Sequence, residues 1–287
     1  MIITRFAPSP TGRLHLGHAA SALFAYRAAQ EADGRFLLRI EDIDPVRCKP
    51  EYTEGIFEDL CWLGLTWPKP VRLQSEYLVD YQNALDQLRA MGLLYPCFCT
   101  RKEVLAEAAA SGYAPHEDGG EGLYAGTCRA LTPAQREEKA LTRVPVWRLD
   151  IAAACKRIGE LSWIDLAAGK VEAHPERFGD VVLARRDVAT SYHLSVVVDD
   201  ALQGVTLVTR GQDLFGVTDV HVLLQSLLGM PQPTYHHHPL IVDAHGKRLA
   251  KRDRAATIQL LRQNGSSPQD VIDMTYRVQS YARAITY

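Results

Sequence analysis

The spacing of apolar residues predicts an opening in which strands and helices alternate. Short apolar runs at residues 2–3 and 35–40 indicate buried strands. Because a loop rich in Gly and Pro follows the first strand, this order predicts a parallel sheet with a ligand crevice at the carboxyl ends of its strands. Apolar residues at helical spacing predict three helices, over residues 18–30, 51–63 and 75–91, with Gly92 ending the third.

Between residues 95 and 178 the regular spacing is interrupted by Ala-rich and Gly-rich pieces and by prolines. We interpret this stretch as an insertion between the two halves of the sheet. Beyond it, the pattern predicts strands at 180–184, 194–198 and 205–209, a helix over 217–228, a strand near 239–242, and helices over about 254–262 and 268–279.

Composition is that of an ordinary soluble globular protein. The chain has 287 residues, of which 47% are hydrophobic and 23% charged. It has no apolar run of about eighteen residues, and Arg5 and Pro8 come too early for a signal peptide, so we expect a cytoplasmic protein that does not enter a membrane. In that compartment the six cysteines are expected to be thiols or metal ligands. The net charge of −2 means that any nucleic acid would be bound by a local basic face.

His15-Leu-Gly-His18 is the most informative local pattern. The two histidines lie where the first loop enters the first helix, and the free N–H groups of a helix N-terminus suit phosphate. Imidazoles donate hydrogen bonds without a fixed charge, and Gly17 allows close approach of the backbone to a ligand. A second basic loop at residues 246–253 contains Lys251. Together the two loops predict a site for nucleotide phosphates.

These motifs also carry a family resemblance. Arg5-Phe-Ala-Pro-Ser-Pro-Thr-Gly12 with His15-Leu-Gly-His18 resembles the HIGH signature of class I aminoacyl-tRNA synthetases, in the form used by the glutamyl enzymes. Residues 248–252, Arg-Leu-Ala-Lys-Arg, stand where that family has its KMSKS loop. Residues 40–44, 197–200 and 208–211 resemble further glutamyl-synthetase segments in the same order, so the similarity runs from about residue 3 to 255.

The resemblance implies an α/β fold: a Rossmann-type parallel sheet of the class I synthetases, an inserted zinc-containing subdomain and a short helical C-terminal tail. We predict a first catalytic half over 1–94, an insertion over 95–178, a second catalytic half over 179–253, and a helical remnant without an anticodon-binding domain over 254–287.

The family's reaction is attack of an amino acid α-carboxylate on the α-phosphate of ATP, which requires positioning and charge neutralisation. The resemblance assigns α-phosphate stabilisation to His15 and His18 and neutralisation of the outer phosphates to Lys251, with Mg²⁺ accompanying ATP. Arg248 and Ala250 replace the Lys and Ser of the family loop, so we predict retained activity with altered loop kinetics. The implied ATP-binding residues are Pro8, His15, Gly17, His18, Arg248, Leu249 and Lys251.

For the amino acid, the resemblance implies glutamate. A substrate with two carboxylates suits two guanidiniums, for which Arg5 and Arg210 are the candidates. Glu41 would pair with the α-ammonium, and Tyr192 would donate to a carboxylate oxygen. The implied glutamate-binding residues are Arg5, Phe6, Ala7, Pro8, Ser9, Glu41, Tyr192 and Arg210.

A metal site is predicted within the insertion. Cys97 and Cys99, with the remote Cys128, are typical of a structural Zn²⁺ site. The fourth ligand is open between His116, an imidazole of the kind zinc commonly binds, and Tyr124. Family members with Tyr four residues before the last Cys favour Tyr124. The run at residues 236–238, three histidines, is interpreted as part of a strand, because adjacent side chains in a strand face opposite ways and do not converge on a metal.

The resemblance is closest to a short branch of the family that activates glutamate without tRNA and transfers it to the queuosine base of tRNA(Asp). The chain ends soon after the KMSKS-like loop, and residues 203–206 and 228–233 resemble that branch. The expected partners are ATP, L-glutamate and queuosine-containing tRNA(Asp), and the expected state is a monomer. The alternatives are a compact glutamyl-tRNA synthetase charging a 3′ end, a small nucleotidyltransferase with the same loop, and a non-catalytic paralogue.

Overall fold

Parallel strands with helical crossovers form the first part of the fold. The computed structural model describes residues 1–110, 124, 126–240 and 256–285. β1 pairs in parallel with β2, with Ile3 opposite Arg35, and β2 pairs in parallel with β3. Gly92 has a positive φ of 74° directly after the third helix, as its predicted role at that helix end requires. The elements are β1 (Ile3–Phe6), α1 (Leu16–Glu31), β2 (Arg35–Ile40), α2 (Pro50–Trp62), β3 (Arg72–Leu73) and α3 (Leu78–Ala90).

The middle of the chain contributes to two sheets. β4, β5 and β8 form a small antiparallel sheet. β6 instead pairs in parallel with β10 and carries the antiparallel β7, so residues 162–172, inside the predicted insertion, extend the parallel sheet. The elements are β4 (Leu94–Cys97), α4 (Arg101–Ala110), α5 (Pro133–Ala140), β5 (Val146–Leu149), α6 (Ile151–Ile158), β6 (Ser162–Asp165), β7 (Gly169–Glu172) and β8 (Val182–Ala184).

The last part completes the parallel sheet. β10 pairs in parallel with β9, and a hydrogen bond of 3.0 Å from Thr206 N–H to Ile3 C=O joins the start of β9 to β1. The carboxyl ends of β1, β2, β9 and β10 therefore lie at one edge. The elements are α7 (Tyr192–Leu202), β9 (Leu207–Gly211), α8 (Thr218–Leu227), β10 (Thr234–His238), α9 (Ile258–Gln263) and α10 (Pro268–Ile285).

One sequence prediction is wrong, and a second is tested only in part. The predicted strand at 194–198 lies inside α7, where residues 194–200 are all buried. A helix buried on every side has the same continuous apolar run as a buried strand, so periodicity does not separate them. The strand predicted near 239–242 is absent at residues 239 and 240, which follow the end of β10 at His238; residues 241–242 are outside the described residues.

Among the described residues, the two largest apolar cores pack the helices of the fold. One packs α1 and α2 against β1 and β2, and the other packs α3, α7 and α8 together. In the parts of the chain that the structure describes, no helix is both long and apolar enough to cross a lipid bilayer.

Candidate functional site

One cleft of about 690 Å³ opens at the carboxyl ends of β1, β2, β9 and β10. All eight residues predicted to contact glutamate line it, as do the four described residues predicted to contact ATP. The cleft therefore collects residues from distant parts of the sequence: Arg5, Phe6, Ala7, Pro8, Ser9, His15, Gly17, His18, Glu41, Tyr192 and Arg210.

His15 and His18 cap the N-terminus of α1. His15 Nδ1 accepts a hydrogen bond of 3.0 Å from Gly17 N–H, and His18 Nδ1 accepts one of 3.2 Å from His15 N–H. This reciprocal pattern is a capping box built from two histidines. Because Nδ1 accepts in both rings, the proton of each neutral imidazole is on Nε2, which makes that atom a donor suited to an anion.

Gly17 is required by the capping histidine. A Cβ atom at residue 17 would lie 2.9 Å from Cε1 and 3.0 Å from Nδ1 of His15. The sequence suggested that Gly17 admits a ligand to the backbone; the structure adds that Gly17 makes room for the ring of His15.

Arg5 is buried and paired. Its Nε donates to Asp200 Oδ1 at 3.0 Å, and its Nη1 donates to the Thr209 carbonyl at 3.0 Å. Arg39 Nη1 donates to the same Asp200 oxygen at 2.8 Å. Burial alone would raise the pKa of Asp200, but Arg5 and Arg39 bring it below its usual value, so Asp200 is ionised. Asp200 therefore holds the Arg5 guanidinium at the floor of the cleft.

Arg210 has a different environment. Its three nitrogens donate to His237 Nε2 at 3.1 Å, His221 Nδ1 at 3.0 Å and Thr218 Oγ1 at 2.6 Å. Among the described residues, no carboxylate forms a salt bridge with Arg210. A guanidinium that is oriented but not neutralised is suited to bind a ligand carboxylate.

Glu41 and Tyr192 have perturbed pKa values. Burial raises the pKa of Glu41 to about 7, against the opposing effects of Arg39 and Arg5. Burial also raises the pKa of Tyr192, so its phenol is a donor at neutral pH. Glu41 thus titrates near neutral pH at the place predicted for the substrate ammonium.

The cysteine cluster is separate from the cleft. The sulfur atoms of Cys97, Cys99 and Cys128 all lie within 4.8 Å of one another. Tyr124 Oη is 3.4 Å from Cys97 Sγ and 3.8 Å from Cys99 Sγ. The backbone N–H of Phe98 donates to Cys128 Sγ at 3.4 Å. The alternative ligand His116 lies outside the described residues.

The three consecutive histidines do not converge. His236 and His238 both contact the ring of Phe24, with ring centroids 4.8 and 5.1 Å apart. His237 faces the other way, towards Asp165 and Arg210. This alternation confirms that they are strand residues, as predicted.

Lys251, Arg248 and Leu249 lie outside the described residues, so their predicted roles stay predictions. Sequence reasoning missed the residues that support the two cleft arginines. The sequence did contain a signal for them: polar residues within otherwise apolar runs need hydrogen-bond partners when they are buried. The missed residues are Arg39, Asp165, His193, Asp199, Asp200, Thr218, His221 and His237.

Comparison with known proteins agrees with this geometry. Residues 1–284 match the family of class I tRNA synthetases (E and Q), catalytic domain. A glutamyl-Q tRNA(Asp) synthetase of Rhodobacter capsulatus is 50% identical over 281 residues, which cover 94% of this chain and 98% of that protein. A glutamate–tRNA ligase of Aquifex aeolicus is 39% identical over 266 residues, covering 93% of this chain and 54% of that protein.

A solved structure shows the same fold. The crystal structure of a glutamate tRNA ligase from Elizabethkingia meningosepticum in complex with its amino acid has a TM-score of 0.77 and 28% identity. The match covers 96% of this chain and 60% of that one. The chain therefore belongs to the class I tRNA synthetases for glutamate and glutamine and, within them, to the family of glutamyl-Q tRNA(Asp) synthetases.

Proposed function

We propose that this protein activates L-glutamate with ATP, without tRNA, and transfers the glutamate to the queuosine base at the wobble position of tRNA(Asp). The observation that carries the proposal is the single cleft in which two buried guanidiniums adjoin a helix N-terminus capped by two histidines. Such a cleft suits a dicarboxylic amino acid beside a triphosphate. The relatives support the second step, since a protein of that name is matched over 98% of its length.

Within the cleft, Arg5 and Arg210 bind the two carboxylates, Glu41 accepts from the ammonium, and Tyr192 donates to a carboxylate oxygen. Phe6, Ala7, Pro8 and Ser9 form the adjoining wall. The α-carboxylate oxygen attacks the α-phosphorus of ATP, and the bond to pyrophosphate breaks. The Nε2 donors of His15 and His18 stabilise the charge that develops on the phosphate oxygens.

Lys251 is proposed to neutralise the outer phosphates, with Arg248 and Leu249 in the same loop and Mg²⁺ bound with ATP. Contacts of the described residues on either side of this loop support the proposal. Leu240 lines the cleft, and Thr257 forms a β-bridge with His15. Lys251→Ala is expected to reduce glutamate-dependent ATP–pyrophosphate exchange about 100-fold or more, whereas Lys247→Ala, which removes one charge from the same loop, is expected to change it little. Equal rates for the two variants would remove Lys251 from the reaction.

A structural Zn²⁺ is proposed at Cys97, Cys99, Cys128 and Tyr124. Three sulfurs and a phenol oxygen already lie close together, and this donor set fits tetrahedral zinc. A bound zinc would link the small antiparallel sheet to the chain around Cys128. Elemental analysis of protein purified without chelator should give one zinc per chain. A zinc content near zero would contradict the site.

The two-step proposal is tested by two assays in sequence. The first is glutamate-dependent pyrophosphate exchange without tRNA. The second is transfer of labelled glutamate to tRNA(Asp) that lacks its 3′-terminal adenosine, prepared with and without queuosine. Labelling only of the queuosine-containing RNA is expected. Labelling that requires the 3′ adenosine would favour a compact glutamate–tRNA ligase instead.

A further inference from the structure

Within the described part of the chain, the hydrogen-bond partners of Arg210 are all neutral groups. Thr218 and His221 lie in the first two turns of α8, and His237 lies in β10. All three are buried, with at most 3% of each residue exposed. An arginine buried in this way is usually paired with a carboxylate, as Arg5 is with Asp200.

The tautomers of the two histidines follow from their other contacts. Asp165 Oδ2 accepts from His237 Nδ1 at 2.8 Å, so Nδ1 carries the proton and the Nε2 lone pair faces Arg210. His221 Nδ1 faces Arg210, so its proton is on Nε2, 3.3 Å from His193 Nδ1. Each ring therefore presents an acceptor to Arg210.

These histidines are uncharged at neutral pH. Burial, and then the nearby Arg210, lower the pKa of His237 to about 4 and that of His193 to about 4. The same two causes bring the pKa of His221 well below its ordinary value. A protonated ring would turn its acceptor into a donor facing a guanidinium.

We propose that Thr218, His221 and His237 are positioning residues for Arg210, which fix its guanidinium with neutral acceptors so that its charge is available to a carboxylate of the substrate. Asp165 contributes by holding His237 in the required tautomer. A carboxylate in place of any of these acceptors would also orient Arg210, but it would compete with the substrate for the charge. The inference rests on the proposed function, since it takes glutamate as the ligand of Arg210.

Two isosteric variants separate orientation from neutralisation. In His221→Asn the amide oxygen takes the place of Nδ1 as a neutral acceptor, and in His221→Asp a carboxylate takes the same place. We expect the glutamate KM to stay within about threefold for the Asn variant and to rise about tenfold or more for the Asp variant, with kcat less affected in both. Thr218→Asn and Thr218→Asp provide the same contrast at a second position if either His221 variant fails to fold. Equal KM values within a pair would overturn the proposal.

A measurement that does not depend on activity tests the same arrangement. In ¹⁵N-labelled wild-type protein, histidine NMR at neutral pH should show His237 protonated at Nδ1 and His221 protonated at Nε2. Assignment follows from the signals lost in His237→Gln and His221→Asn. The opposite tautomer at either ring, or a doubly protonated ring, would overturn the inference. Absence of glutamate-dependent exchange in the wild-type protein would instead contradict the proposed function. The NMR measurement would still determine the tautomers in that case.

Discussion

Arg5 and Arg210 face one cleft but differ in what holds them. Asp200 pairs with Arg5, whereas neutral side chains hold Arg210. The fully buried Arg39 forms ion pairs with two acidic residues. Its Nη1 lies 2.8 Å from Asp200 Oδ1, and its Nη2 lies 3.5 Å from Glu41 Oε1. Removing Asp200 would leave the buried Arg5 guanidinium without its carboxylate partner, so Asp200 affects stability as well as binding.

Glu41 gives a pH prediction at the residue scale. Its pKa is raised from 4.5 to about 7, so the carboxylate that would bind the substrate ammonium is half formed at about that pH and becomes the minor form below it. We expect kcat/KM for glutamate in pyrophosphate exchange to fall as the pH drops through about 7, by up to about tenfold per pH unit. Glu41→Gln should lower kcat/KM at pH 8 and remove this inflection. An inflection that persists in the variant would assign the titration to another group.

The same shift predicts an effect on stability. Between pH 4.5 and 7 the folded protein binds more protons at Glu41 than the unfolded chain does, so this residue's contribution to the free energy of unfolding falls as the pH rises. The destabilisation is complete above about pH 7. Glu41→Gln should therefore raise the free energy of unfolding at pH 8 by about 1–3 kcal/mol and change it little at pH 4, as measured by urea denaturation.

At the scale of elements, α1 is organised by its N-terminus. The capping ring of His15 leaves no room for a side chain at Gly17. We expect Gly17→Ala to displace the His15 ring and to lower kcat of pyrophosphate exchange about 10- to 100-fold. Gly12→Ala is a matched control, since a Cβ atom there meets nothing within 4 Å. Equal kcat values for the two variants would contradict the steric role of Gly17.

Two aspartates in the last turn of α7 bind side chains from three strands. Asp199 accepts from Arg72 at 2.7 Å and from Gln74 at 2.8 Å, and Asp200 accepts from Arg5 and Arg39. Two adjacent carboxylates at a helix C-terminus are unfavourable to the helix itself. The arginines of β1, β2 and β3 offset this unfavourable charge, so ion pairs with the three strands stabilise the end of α7.

At the scale of the molecule, the cysteine cluster lies outside the cleft but is connected to it by the loop that contains Arg185 and Arg186. Arg186 Nη2 donates to the carbonyls of Phe98 at 3.1 Å and Cys99 at 2.9 Å, and the loop that contains Arg186 leads into α7 at Tyr192. Its neighbour Arg185 lies 3.7 Å from Asp44, in the loop that begins at Glu41.

This connection predicts that loss of the proposed zinc would also affect glutamate binding in the cleft. Cys128→Ser should lower the zinc content, reduce the free energy of unfolding by about 2 kcal/mol or more, and raise the glutamate KM. The matched control is Cys61→Ser, since that cysteine is exposed and lies outside the cluster. A Cys128 variant with lowered zinc content and an unchanged glutamate KM would show that the metal site does not affect glutamate binding in the cleft.

The sequence by itself determined the elements whose signals are local. The strand–loop–helix at residues 3–31, the α/β class, the cysteine spacing and the alternating faces of residues 236–238 all follow from short-range patterns. The glutamate and ATP residues came from motifs, and the described ones lie in one cleft. Their roles in binding stay predictions.

Only the tertiary structure decided which charges are paired. Arg5 and Asp200 are separated by 195 residues, and His237 and Asp165 by 72, so no local pattern indicates that they meet. The helical state of residues 192–202 was also decided there, because a segment buried on all sides loses the periodicity that distinguishes helix from strand. Long-range packing thus determines that Arg5 is paired with a carboxylate whereas Arg210, among the residues that the structure describes, is held by neutral acceptors.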